Sequence, residues 1–441
     1  MKPLWIGLSL IILNALVPVQ ANTKDDIKSF TLENGLKIMV LEDSSIPNAN
    51  MYLFWKVGSR NEVPGITGIS HFFEHMMFNG AKKYGPKMFD RTMEAAGGAN
   101  NAYTTENITV YTNWFPAAAL ETIFDLEADR IANLDISPAM VESERGVVAS
   151  ERTTGLENSN FRVLQEELKA VAFRAHPYSW SVIGHESDIN AWTIDDLRQY
   201  HKTYYAPNNA VMVIAGDVKF EQVQALAQQY LAPIPAQGAP REVKTVEPQQ
   251  QGERRVFVQK ASVSTPNVML AYHVPASDSA DYYALDLLSA ILGEGKSSRL
   301  YQSLVNNQVA LAADTYMPMS FDANLFYFYS VAAPGVTPSQ LEQGMINSIA
   351  EIIRHGVSAD ELAKVKNLRL MDFYRTMETI NGKANTIGSY ELYFGSYDKL
   401  FSAPDAYNKV TPADIQRVAA QYLIRSNRSV GVLAAQEEKD Q

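Results

Sequence analysis

The chain has 441 residues, 46% hydrophobic and 20% charged, which is enough apolar material for a large core and excludes a disordered chain. Its net charge is −11 and no Lys/Arg cluster offers the basic face that phosphate binding needs, so nucleic acid is excluded as a partner. There is no cysteine, which rules out disulfides, thiolate metal sites and a Cys nucleophile and leaves His, Asp and Glu as the strong metal ligands.

Residues 1–21 read as an export signal rather than part of the fold. Lys2 gives a basic start, Leu4 to Val17 is mostly apolar, and Val19-Gln20-Ala21 is a small-residue cleavage site. The run is shorter than the roughly 18 residues of a membrane span, and Pro18 closes it. A mature chain starting near Asn22 is expected, with no stable membrane insertion; an uncleaved anchor is the alternative.

Phe30 to Leu32 and Leu36 to Leu41 flank Asn34-Gly35, a hairpin signal, and Met51 to Val57 supplies a further strand. Thr67 is placed to cap a helix that Asn79-Gly80 ends, and within it stands His71-Phe72-Phe73-Glu74-His75. His71 and His75 are one turn apart on one face, where two imidazole nitrogens can reach one ion at about 2.0–2.1 Å. Glu74 lies close to that face, where a carboxylate can take a proton from a metal-bound water. The alternating segment Tyr103 to Tyr111 fits an edge strand, and Pro116 to Ala132 fits a helix.

A catalytic zinc takes three protein ligands and keeps one position open, so a third ligand must come from elsewhere. Candidates follow Ser137-Pro138, an N-cap and N1 pair, on a helix over Ser137 to Thr154 that carries Glu142, Glu144 and Glu151. Glu144 and Glu151 share a face but are separated by about 10.5 Å along the axis, so both are not ligands of one ion. Spacing alone does not choose between them.

A helix over Asp195 to Tyr204 and a strand over Ala210 to Ala215 follow, and then the pattern repeats. Ile46-Pro47-Asn48 and Thr265-Pro266-Asn267 each precede an apolar strand at an offset of 219. Thr193, Asp196, Leu197, Tyr204 and Asn209 match Thr411, Asp414, Ile415, Tyr422 and Asn427 at an offset of 218. Pro233 to Arg255, rich in Pro, Gln and Gly, reads as a linker. The expected fold class is α+β: two homologous α/β-sandwich domains, each an antiparallel-rich sheet with helices on one face. Their bounds are 22–235 and 256–435, joined by 236–255 and followed by a polar tail, 436–441. The second-half counterparts of His71 and His75 are Ala290 and Glu294, so one zinc ion per chain, in the first half, is expected. Gly293 to Leu300 lacks the spacing of a phosphate loop. His176, His185, His201, His273 and His355 read as structural.

With these residues in hand, the sequence resembles the pitrilysin, insulysin and mitochondrial processing peptidase family, whose inverted zinc motif is His-x-x-Glu-His. The resemblance covers nearly the whole chain after the leader. It implies that the third ligand is Glu151 and that Glu144 orients a ligand or tunes its basicity. It also makes Gly97-Gly98, Asn101-Ala102-Tyr103-Thr104-Thr105 and Val110-Tyr111 similar to the family's strand beside the zinc, where Asn101 and Ala102 bind an extended peptide by strand addition. The implied activity is that of a zinc endopeptidase acting on peptides or unfolded segments in an enclosed chamber, most simply in a bacterial periplasm. Glu74 is then the general base. The rival from a different class is a non-catalytic scaffold subunit of the same fold.

One stretch departs from the family. Its second halves carry an Arg and, seven residues later, a Tyr that hold the substrate near zinc; here Val305 and Ala312 stand at those places, with Tyr316 four residues further on. Apolar side chains cannot donate to a substrate or an oxyanion. The resemblance therefore implies a heterodimer with a second homologous chain that retains the Arg-Tyr pair, a homodimer being the alternative.

Overall fold

The computed structural model describes residues 23–435. The predicted leader, 1–21, and the polar tail, 436–441, lie outside the described residues.

The first half builds a six-stranded sheet from β1 (Ile27–Thr31), β2 (Lys37–Glu42), β3 (Asn48–Trp55), β4 (Ala99–Thr104), β5 (Thr109–Pro116) and β6 (Ala210–Gly216), in the order β1-β2-β6-β3-β5-β4. The second half builds a five-stranded sheet from β7 (Arg254–Gln259), β8 (Asn267–Val274), β9 (Ala310–Tyr316), β10 (Asn324–Ala332) and β11 (Arg428–Ala434), in the order β7-β11-β8-β10-β9. Apart from β1 the two orders are the same, and each sheet has one parallel pair, β2 with β6 and β7 with β11. The repeat seen in the sequence is therefore a repeat of topology. The β1–β2 hairpin pairs Thr31 with Lys37, and Gly35 makes its turn at φ +88°, where a side chain would meet Asn208. No helix or strand occurs between Tyr230 and Arg254.

The chain from Tyr103 to Tyr111 is not one strand, as its alternation suggested. β4 ends at Thr104, and the Thr105 hydroxyl accepts from the N–H groups of Asn107 and Ile108, each at 3.0 Å. That side-chain turn reverses the chain into β5. β4, with one unpaired side, is the edge of its sheet.

One face of each sheet is covered by helices of its own half. Phe72, Phe73 and Met76 pack with Val40, Leu53 and Met212 in the first half; Leu285 and Leu288 pack with Leu270 and Phe328 in the second. The other face is covered by exchange. Ile380, Ala384 and Ile387 of helix Ile380–Tyr393 pack on Met39, Phe54 and Val213 of the first sheet. Leu164, Leu168 and Ala172 of helix Asn160–Ala172 pack on Met269, Ala271 and Leu433 of the second. Each Leu or Phe so buried stabilises by about 1.5–3 kcal/mol, which makes the two halves energetically one body.

The exchange needs a close approach at Gly388, where an added Cβ would lie 2.1 Å from the Phe54 ring. Gly388→Ala should lower the unfolding free energy by about 1–3 kcal/mol, because overpacking outweighs the roughly 1 kcal/mol gained in helix propensity. Gly146→Ala, in a helix with nothing within 4 Å of the new methyl, should instead stabilise by up to about 1 kcal/mol. Urea midpoints of the two variants, moving in opposite directions, check the packing.

Candidate metal centre

Helix Ile69–Met76 turns one side into the core, where Phe72, Phe73 and Met76 are fully buried, and presents His71, Glu74 and His75 on the other. Its start differs from the sequence expectation. Thr67 is not the cap: its N–H and hydroxyl both donate to Asp188, at 3.1 and 2.8 Å. Gly68 takes the N-cap position at φ +85°, and the two oxygens of Glu62 accept from the N–H groups of Gly68 (2.8 Å) and Ser70 (2.9 Å). Gly68 is required there because a Cβ would lie 2.3 Å from the Ile183 carbonyl oxygen.

Helix Pro138–Asn158 crosses beside it and brings both candidate glutamates to the histidines. Glu144 Oε1 is 2.7 Å from His75 Nδ1, and its Oε2 accepts from Asn79 at 2.5 Å. Glu151 Oε2 is 3.3 Å from His75 Nε2 and 3.7 Å from His71 Nε2. Thus the two carboxylates meet opposite nitrogens of one imidazole. Among the described residues, His71, His75 and Glu151 form the one group of three such side chains whose ligand atoms all lie within 4.8 Å of one another.

Two imidazoles and a carboxylate at this separation are a donor set suited to zinc, with Glu144 fixing the His75 ring so that Nε2 faces the shared space. Burial opposes charge on His71 and pushes its pKa down to about 4, which keeps it in the neutral, ligating form. Burial also opposes charge on His75, but its bonds to Glu144 and Glu151 outweigh this and push it up to about 9. Those same two carboxylates are held below the usual range by His75. Glu74 is raised by burial, and its Oε2 accepts from the Thr104 hydroxyl at 2.6 Å.

The other predicted residues are near but distinct. Asn101 and Ala102 lie on β4, opposite Thr112 and Tyr111, and Thr104 ties the end of that strand to Glu74. Glu142 is exposed and pairs with Arg145. Val305 ends the short helical stretch Tyr301–Val305, and Ala312 lies on β9 opposite Val331. Tyr316 stacks on Tyr327 at 4.6 Å, and its hydroxyl accepts from Gln165. Glu62 and Asp188 were not anticipated, because each sits at a non-helical spacing or a long separation that carries no sequence signal; Asn79 was expected only to end the helix, and its bond to Glu144 has no sequence signal either.

Residues 37–186 match the profile of the insulinase family (peptidase family M16), and residues 191–369 match that of the peptidase M16 inactive domain. The zinc protease PqqE of Helicobacter pylori is 32% identical over 405 residues, 90% of each chain. This chain belongs to the M16 peptidase family. A crystal structure of a protease from Helicobacter pylori superimposes with a TM-score of 0.89 at 30% identity, covering 92% of this chain and 99% of that one. The periplasmic protease PqqL from Escherichia coli shares the fold, with a TM-score of 0.78 at 20% identity, over 94% of this chain and 48% of that one. The two-domain M16 fold and kinship with proteins named zinc proteases are thus established, in line with the resemblance read from the motif.

Glu62 gives the testable consequence of how the M16 motif helix is anchored. It is buried, accepts also from Trp180 Nε1 at 3.2 Å, and burial pushes its pKa up to about 7 against these donors. A folded-state value above that of an unfolded glutamate means that the native state binds the proton more tightly. Stability from this group is then greatest below about pH 4.5 and declines as pH rises toward 7, by about 3 kcal/mol in all. Glu62→Gln cannot titrate, so urea titrations at pH 5 and pH 8 should show the wild type losing stability relative to the variant at the higher pH.

Proposed function

We propose that this chain is an exported zinc endopeptidase, the catalytic member of a two-chain assembly that cleaves peptides or unfolded segments within an enclosed chamber. The observation that carries the reading is the convergence of His71, His75 and Glu151 with Glu74 on the same helix as both histidines. His71, His75 and Glu151 would hold one zinc ion. When bound, zinc would supply a Lewis acid that polarises the scissile carbonyl and acidifies water.

The remaining work falls to side chains of this protein. Glu74 takes the proton of the attacking water and returns it to the leaving amine; burial raises its basicity, and Thr104 holds one oxygen while leaving the other for that proton. Glu144 holds the tautomer of His75. The open side of β4, the strand that Thr104 ties to Glu74, offers backbone groups, those of Asn101 and Ala102 among them, to an extended peptide. On this reading 22–235 carries the site, 256–435 repeats the fold without it, and 236–255 joins them, its last two residues already belonging to β7. Periplasmic location agrees with the location stated for PqqL of Escherichia coli and with the leader read from the sequence. No helix among the described residues is long and apolar enough to cross a membrane.

A second chain is proposed because Val305 and Ala312 cannot donate a hydrogen bond from their side chains, and Tyr316, four residues beyond Ala312, is engaged by Gln165 and Tyr327. A homologous partner with the Arg-Tyr pair would complete the substrate grip.

Glu74→Gln should retain zinc by metal analysis while turnover of quenched peptides falls by about 10²–10⁴-fold; loss of the metal would remove Glu74 from the role of base. Glu151→Gln should weaken zinc binding, measured by chelator competition, well beyond the roughly 10–100-fold expected for Glu144→Gln. Equal retention in both would reject Glu151 as a ligand. Purified chain alone should turn over peptides slowly and accelerate on addition of the homologous partner; full activity without it would reject the two-chain reading in favour of a self-sufficient chain.

A further inference from the structure

A cavity of about 240 Å³ opens beside the cluster, bordered by His71, Glu151 and Thr104 and, across from them, by helix Asn160–Ala172. Three cations line it: Arg152, Arg162 and Lys169. Two are neutralised. Arg152 donates to both oxygens of Glu166, at 3.1 and 2.6 Å, and Lys169 donates to Glu106 at 2.7 Å. Arg162 is different: its residue is exposed, and among the described residues no carboxylate lies within 4.0 Å of its guanidinium.

The Arg162 side chain lies against Gly155. A Cβ at Gly155 would lie 2.7 Å from its Nη1, so the guanidinium rests across Gly155. Gly155 is one turn beyond Glu151 on the same helix, which sets the guanidinium over the helix face that presents Glu151 to the histidines. Of the three acids in the cavity wall, Glu106 and Glu166 are paired and Glu151 belongs to the cluster. One positive charge, on a planar fork that matches a carboxylate, is left facing the space where a substrate side chain next to the cluster would lie.

We propose that Arg162 is a specificity-determining residue that selects peptides with an acidic side chain adjacent to the scissile bond, by pairing with the carboxylate that enters this cavity. The assignment rests on the peptidase reading above. A charge-assisted pair in a partly enclosed cavity should favour Glu over its neutral isostere by about tenfold or more, and the same guanidinium should disfavour Lys.

The test uses one peptide sequence in which Glu, Gln or Lys is scanned through every position. Affinity is read with the zinc-loaded Glu74→Gln protein, so that selectivity is measured without turnover, and the cut is mapped with the wild type. At one position Glu should bind about tenfold or more tightly than Gln, and the cut should fall within two residues of it. Adding Arg162→Gln to the Glu74→Gln protein should bring the Glu-to-Gln ratio to about one, and Arg162→Glu should reverse it toward Lys. Gly155→Ala, which displaces the guanidinium but keeps its charge, should narrow the ratio. A ratio of one at every position, a ratio unchanged by Arg162→Gln, or a cut remote from the selective position would overturn the proposal. So would an equal fall in kcat for all peptides at constant selectivity when Arg162→Gln is made alone, with Glu74 intact, which would assign Arg162 to the chemistry. If zinc-loaded wild type cuts none of the peptides, the peptidase reading fails, while the affinity ratio still decides the role of Arg162.

Discussion

The site depends on one imidazole held from both ends. His75 meets Glu144 through Nδ1 and Glu151 through Nε2, and those glutamates stand seven residues apart on a single helix. Two turns of helix place their backbones about 10.5 Å apart, and the ring lying between converging side chains closes that gap. The arrangement tolerates no slippage: a shift of one turn, about 5.4 Å, would remove both contacts together. Register is secured beneath by Phe72, Phe73 and Met76 in the core and at the helix start by Glu62. Glu144 thereby serves the same end as the apolar packing, since both determine which nitrogen of His75 faces Glu151.

The exchange of helices ties this site to the half of the molecule that lacks one. Helix Asn160–Ala172 follows the Glu151 helix directly, forms the far wall of the cavity, and is seated on the second sheet through Leu164 and Leu168. Gly431 on β11 admits it, since a Cβ there would lie 2.9 Å from Leu164. The second half therefore shapes the cavity without contributing to the His-Glu cluster. Loosening its sheet would move Glu166 and Lys169, whose pairing with Arg152 and Glu106 sets the charge of the wall.

Much of this was legible in the chain itself. The Asn34-Gly35 hairpin and the histidines one turn apart follow from short-range rules, the two-fold repeat from comparing the chain with itself, and the structure carries each of them. The choice between Glu144 and Glu151 was not legible from spacing: both point at the same ring, and only the distances distinguish Nδ1 from Nε2. Thr67 misled because a Thr before a helix is a good cap, yet Asp188, distant in sequence, captures its hydroxyl and leaves the capping to Glu62. The helix exchange has no local signature, because Leu164 and Leu168 read as an amphipathic face whichever sheet they cover. Tyr103 to Tyr111 alternates through a turn because alternation does not register the Thr105 side-chain bonds that reverse the chain.

The second half shows what becomes of the same architecture when the ligands are lost. By the offset of 219, the counterparts of His71 and His75 are Ala290 and Glu294. Arg369, on helix Ala359–Met377, donates to Glu294 at 2.7 Å and to Asp286 at 2.6 Å. In the first half, Glu144 and Glu151 bring two negative charges against His75, and a divalent cation would balance them. In the second, Asp286 and Glu294 bring two and the chain supplies its own cation, while Asp314 nearby is raised by burial and by Glu294. In both clusters partly exposed carboxylates face a positive or protonatable partner. A guanidinium is that partner permanently and leaves no coordination position for water. A histidine pair leaves the partner exchangeable, and that is the property a catalytic metal site needs.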